Sequence, residues 1–218
     1  MSTSFIRPPK TASPAPLPGF EQLQRFWEPD TSHWTVKLLP GEYYVTPHDE
    51  AITTVLGSCV TACIRDAQAQ VGGMNHFMLP EASGGQDRES PGPMERQETR
   101  YGCYAMECLI NDLLKLGATR QRLEIKLFGG ARILASMTDI GSRNIAFIRD
   151  YLHIEGLQAL AQDLGGDRPR RLVYFPTTGR VRMKRLRPIE NRTIADREQL
   201  YLARLHRDQD GGDIEIFP

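Results

Sequence analysis

Two residue types with a shared chemistry stand seventeen positions apart in this chain. Cys59 follows Gly57-Ser58, and His76 follows Gly72-Gly73-Met74-Asn75. A thiol beside an imidazole is a nucleophile with its base. The ring takes the thiol proton, or pre-forms a thiolate–imidazolium pair that lowers the cysteine pKa. Gly57 adds backbone freedom where a ligand must approach the chain closely. Each residue also has a plainer reading, the cysteine as a small core side chain and the histidine as a buried structural one. The glycines before both are what set the pattern apart.

An antiparallel hairpin over 59–65 and 71–79, turning around Asp66–Gln70, would bring the two together. In one register Cys59 faces His76 with Cβ atoms about 5 Å apart. One residue further, Cys59 faces Phe77 and His76 points to the other face. Gly72-Gly73 invites a bulge that would change either register.

The rest of the chain is read as support for that hairpin. Its 218 residues carry 27 basic and 27 acidic side chains and are 40% hydrophobic. A zero net charge excludes a globally basic nucleic-acid binder and a disordered polyelectrolyte. The length suits one domain with tails, and nothing approaches the ~18 apolar residues of a membrane span. The first twenty residues hold five prolines and no apolar stretch, which points away from a secretory signal and toward a cytoplasmic protein. Cys59, Cys63, Cys103 and Cys108 lack zinc-site spacing, so reduced thiols are expected, the last three as small apolar residues; Cys63 lies close enough in sequence to raise oxidative coupling to Cys59.

Residues 1–40 read as a proline-rich N-terminal arm, with Phe20, Leu23, Phe26 and Trp27 spaced as one stripe of a short docking helix before Pro29. GEYYVT, AITTVL, CVTACIR, VGGMNHFML and RLEIKLF read as strands, and 80–98 as a polar loop. A helix is predicted over 99–116, stopped by Gly117, and a second one capped by Asn144 and stopped near Gly156. LQALAQDL (157–164) fits helix or strand, and RLVYFP with RVRMKRL forms a final hairpin. Residues 188–218 form a charged C-terminal tail with weak helical periodicity around Arg197–Leu205.

Eight basic residues (Arg168, Arg170, Arg171, Arg180, Arg182, Lys184, Arg185 and Arg187) and no acidic one lie in 168–187. One reading is the solvated face of the hairpin, with Val181, Met183 and Leu186 inward. Another is an electrostatic dock for an acidic partner helix. Nucleic acid is disfavoured, because Tyr174 and Phe175 are the only interleaved aromatics. Gly129-Gly130 reads as a tight turn lining the site.

LGSCVTACIRD followed by VGGMNHFMLP resembles the signature of the CheD family, the chemotaxis receptor glutamine deamidases. The resemblance continues through LGA (116–118), FGGA (128–131), IGSRN (140–144) and DLGGDRPRRLVYFPTTGRV (163–181). It covers residues 41–187, a CheD-like deamidase domain, and leaves the arm and tail outside. It implies an α/β (α+β) fold, two mixed β-sheets packed as a sandwich with flanking helices, cysteine-hydrolase-like. It implies hydrolysis of receptor glutamine side chains to glutamate and ammonia through a cysteine thioester, without metal or organic cofactor. Carried over by position, the nucleophile falls on Cys59, the base on His76 and a third catalytic member on Thr53, with Thr54 adjoining it. Backbone N–H groups of Ser58 or Cys59 would then form the oxyanion hole. The partners implied are methyl-accepting chemotaxis receptors and a CheC-type phosphatase. The alternatives are a receptor glutamate methylesterase and a non-catalytic binding module.

Overall fold

The computed structural model describes residues 13–80, 93–133, 140–187 and 191–210. Among these residues, ten strands form two five-stranded sheets. The first has the order β1(Gln24–Glu28)-β2(His33–Lys37)-β4(Ala51–Leu56)-β9(Arg170–Phe175)-β10(Arg180–Arg185), with β2 and β4 parallel. The second has the order β3(Tyr43–Thr46)-β6(Val71–Asn75)-β5(Val60–Asp66)-β7(Leu123–Gly129)-β8(Ala159–Leu164), with β7 and β8 parallel. Helices α1(Pro93–Lys115), α2(Ile140–Ile154) and α3(Asn191–Asp210) flank them. This is the α+β arrangement of two mixed sheets that the resemblance implied. None of the described helices is long and apolar enough to cross a membrane.

β4 is the middle strand of one sheet and β5 of the other. Both are buried along nearly their whole length, which their unbroken apolar and threonine runs AITTVL and VTACI anticipate. Gly57, Ser58 and Cys59 therefore lie where the chain crosses from the centre of one sheet to the centre of the next. Gly72-Gly73 produces no bulge: β6 keeps one register with both neighbours. The glycines make room instead, since a Cβ at Gly73 would lie 2.5 Å from the Tyr44 carbonyl and 2.8 Å from Leu109 of α1.

The N-terminal stripe is not a helix: Phe26 and Trp27 lie in a strand, and Phe20 and Leu23 are buried just before it. Residues 24–28 pair antiparallel with 33–37, Trp27 opposite Trp34 with ring centroids 5.9 Å apart. Pairing with β2 and a buried network decide the conformation. Arg25 bonds Glu50 and Tyr44, whose hydroxyl donates to Glu50 at 2.8 Å, tying β1 to β3 of the other sheet. Local spacing cannot register such long-range partners. Residues 1–12 of the arm lie outside the described residues.

LQALAQDL resolves as a strand, because β7 offers it a parallel partner. Helix α1 begins at Pro93, six residues before its expected start, and residues 81–92 of the polar loop lie outside the described residues. β9 and β10 form the expected hairpin, in which Val181 and Leu186 pack against the core while Met183 is exposed. The weak periodicity of the tail is a twenty-residue helix.

Candidate active site

Cys59 enters the core directly after the β4–β5 crossing and is fully buried. Val60 pairs with Phe77 and Cys63 with Met74. Cys59 therefore stands opposite Met78, in neither register weighed from sequence. Its thiol points at the Met78 sulfur, 3.7 Å away. Strand alternation returns His76 to the same side as Met78, diagonal to Cys59. Cys63 is four residues along β5, about 13 Å at strand rise, beyond the reach of a disulfide.

His76 is buried, and its Nδ1 is 2.7 Å from the Thr54 hydroxyl. That hydroxyl has one proton, which goes to the Leu38 carbonyl at 2.9 Å. Its oxygen then accepts from Nδ1–H, which fixes the tautomer and leaves Nε2 with a lone pair. Nε2 has no hydrogen-bond partner among the described residues. The Thr53 hydroxyl donates to the Leu172 carbonyl at 2.6 Å. The group at the imidazole is its neighbour Thr54, because alternation along β4 turns adjacent side chains to opposite faces.

Burial drives the His76 imidazole down to about 4 from its ordinary 6.5, the Leu38 carbonyl opposing. Burial, and then the charge of Glu198, push the Cys59 thiol well above its usual value. Thiol and imidazole are thus both neutral here, and the chemistry they support is general-base removal of the thiol proton. The histidine has a consequence for folding. Its folded pKa lies below its unfolded one, so between about pH 6.5 and pH 4 the unfolded chain binds the proton first and stability falls as pH falls. About 2–3 kcal/mol should be lost from this group by about pH 4.5. Urea unfolding of the wild type and of His76→Gln at both ends of that window checks it, the variant losing less.

The backbone beside the thiol is set out to hold an anion. The N–H groups of Gly57, Ser58 and Cys59 converge on the carboxylate of Glu198 at 2.9, 2.9 and 3.3 Å, and the Ser58 hydroxyl joins them at 2.5 Å. Asn144 fixes this turn from behind. Its Nδ2 donates to the Ser58 carbonyl at 2.9 Å while its Oδ1 accepts from Leu79 N–H at 2.8 Å. It stands inside α2 rather than capping it. Gly130 and Ala131 complete the support, Gly130 N–H donating to the Cys59 carbonyl at 2.7 Å and Ala131 N–H to that of Gly57 at 2.8 Å.

A cavity of about 420 Å³ opens beside His76, lined among others by Leu38, Thr53, Thr54, Arg171 and, from α3, Glu198. A larger cleft of about 630 Å³ around Asp163, Arg170 and Arg185 includes none of the candidate catalytic residues. Among the described residues no group of three or more His, Cys, Asp or Glu is placed to hold a metal. Within the basic stretch, Arg170 and Arg185 pair with Asp163, Arg171 with Glu28, and Arg180 and Arg182 lie over the Phe175 ring. Sequence reasoning named the crossing, Cys59 and His76. It missed Glu198, whose one signal was a carboxylate within the helical stripe of Ile194, Ala195, Tyr201 and Leu202.

The chain is similar to known proteins of one family. The family described as CheD chemotactic sensory transduction matches residues 78–185. A protein of Halorhodospira halophila named "Probable chemoreceptor glutamine deamidase CheD" is 49% identical over 201 residues, 92% of this chain and 93% of its own length. Proteins of the same name from Hahella chejuensis and Herminiimonas arsenicoxydans are 46% and 51% identical, over 94% and 83% of this chain and 95% and 88% of theirs. With likeness of that depth over nearly its full length, the chain belongs to the CheD family.

Proposed function

We propose that this protein is a cysteine-dependent deamidase that hydrolyses glutamine side chains of chemoreceptors to glutamate and ammonia. The observation that carries the reading is the amide cradle beside a buried thiol. Three N–H groups and a hydroxyl hold a carboxylate next to Cys59, the position a glutamine side chain must take to be attacked.

In this reading Nε2 of His76 takes the thiol proton and the sulfur attacks the side-chain carbonyl carbon. The oxyanion is stabilised by the Gly57 and Cys59 N–H groups. His76 returns the proton to nitrogen, the C–N bond breaks, and ammonia leaves a thioester. Water, deprotonated at Nε2, hydrolyses it to glutamate. For this the thiol must turn from Met78 toward the ring, a tightening that a bound substrate would impose.

Thr54 acts in this scheme as a positioning residue, holding Nδ1–H so that Nε2 stays a base. Thr54→Val should lower kcat about 10- to 100-fold, at or below the low end of the roughly 10²–10⁴-fold that general acid–base catalysis contributes, because the base is misplaced and not removed. Thr54→Ser should restore most of it, and the pH–rate profile should shift only in the valine variant. Thr53→Val should cost about 1 kcal/mol of stability through its lost bond to Leu172, with little change in kcat.

The methylesterase alternative shares the attack and differs in the leaving group. Ammonia from an unmethylated receptor fragment supports deamidation; methanol from a methylated one, with no ammonia from the other, would replace it. Capture of a CheC-type phosphatase, which the family resemblance suggests, should survive Cys59→Ala.

A further inference from the structure

Helix α3 lies beyond the residues matched by the family description, yet it supplies the group that fills the site. Its buried residues Ile194, Ala195, Glu198 and Leu202 form one helical stripe, with half-buried Tyr201 beside them. A carboxylate within an apolar stripe is costly unless every lone pair is met. Here it is met by the three amides and the Ser58 hydroxyl. The body is shaped to the helix in return. A Cβ at Gly57 would lie 2.8 and 2.9 Å from the two Glu198 oxygens, and one at Gly41 would lie 2.4 Å from the Tyr201 hydroxyl.

The two carboxylate oxygens have different seats. Oε1 accepts from Gly57 and Cys59 N–H, the nucleophile's own amide among them. Oε2 accepts from Ser58 N–H and Ser58 hydroxyl. A glutamate just released from a thioester has the same two oxygens, one from the original carbonyl and one from water.

We infer that α3 is an internal product mimic: Glu198 occupies the seat of the substrate's glutamine side chain, and the groove under α3 is where a substrate helix docks. The inference rests on the deamidase reading and extends it to the shape of the substrate. The partner is an α-helix presenting a glutamine, with a small residue three positions before it and apolar residues four before and four after, as Ala195, Ile194 and Leu202 stand around Glu198. While α3 is seated, Cys59 is fully buried, so a receptor helix must displace it.

The test uses the full chain. Glu198→Lys places a cation against three N–H groups and must unseat the helix. Alkylation of Cys59 by iodoacetamide, followed by peptide mass spectrometry, should then be at least about tenfold faster than in wild type, the buried Cys63 staying unlabelled as an internal reference for unfolding. An unchanged Cys59 rate, or equal labelling of Cys59 and Cys63, would overturn the inference. This readout needs no substrate, so it is independent of whether receptors are deamidated. The second variant, Glu198→Gln, makes the helix an internal substrate. Thiol attack, loss of ammonia and hydrolysis by water should return that side chain to glutamate, a gain of about 1 Da. Conversion should be first-order, independent of protein concentration, and absent when Cys59→Ala is added. Retention of the amide by a protein that deamidates receptors would overturn the product-mimic assignment, while leaving the activity itself standing.

Discussion

Cys59→Ala is expected to reduce ammonia release from a receptor fragment by about 10³-fold or more, to the floor of the assay, with the fold intact. The thiol makes the bond to carbon, and its two nearest side-chain neighbours do not replace that bond: Met78 is a thioether, and the Ser58 hydroxyl is held by Glu198. The structural cost is small, because alanine keeps the Cβ and the turn is set by backbone bonds from Gly130 and Ala131. Thermal melting should shift by only a few degrees, as for a loss of about 1 kcal/mol. An activity loss accompanied by a large drop in melting temperature would move Cys59 from chemistry to packing.

Gly129→Ala should be the most damaging single change outside the chemistry itself. Gly129 has φ +118°, where a Cβ is strained, and that Cβ would stand 2.1 Å from the Cys59 carbonyl oxygen and 3.0 Å from Val60 Cα. Both obstacles are backbone, so no side chain can move aside. The chain must shift at the nucleophile turn, and a cost of about 3 kcal/mol or more is expected, combining strain with the clash. Gly156→Ala is the control. It also has a positive φ, +64°, but no atom of the described residues would lie within 4 Å of an added Cβ. It should cost about 1 kcal/mol. Urea unfolding of the pair measures the difference directly. Equal effects would mean that the close approach of Gly129 to Cys59 does not matter to the fold.

These contrasts show which parts of the site could be read before the structure. The strands, the crossing at Gly57–Cys59 and the glycine-rich support at 129–130 are encoded locally, in runs of β-formers and in residues that need special backbone angles. Register is not. It is set by β5 and β6 meeting β3 and β7 together, which put Cys59 opposite Met78. The contact of Thr54 with His76 depends on which face of β4 turns toward the ring, a question of sheet packing that residue spacing leaves open. Asn144 looked like a helix cap because caps are the commonest local use of asparagine. Its amide instead bridges the Ser58 carbonyl and Leu79 N–H, partners 86 and 65 residues away. Glu198 was furthest from view, joined to Gly57 across 141 residues, in a charged tail with only weak helical periodicity.

Deamidation requires that the Cys59 thiol convert glutamine to glutamate on a receptor. The measurement is peptide-resolved mass spectrometry of a chemoreceptor cytoplasmic fragment incubated with the full chain, with Glu198→Ala and with Cys59→Ala. A gain of about 1 Da at defined glutamines with the first two, and none with the third, is the expected result. A receptor left unchanged by a folded protein whose Cys59 can be alkylated would contradict it, and the chain would then act in chemotaxis by binding alone.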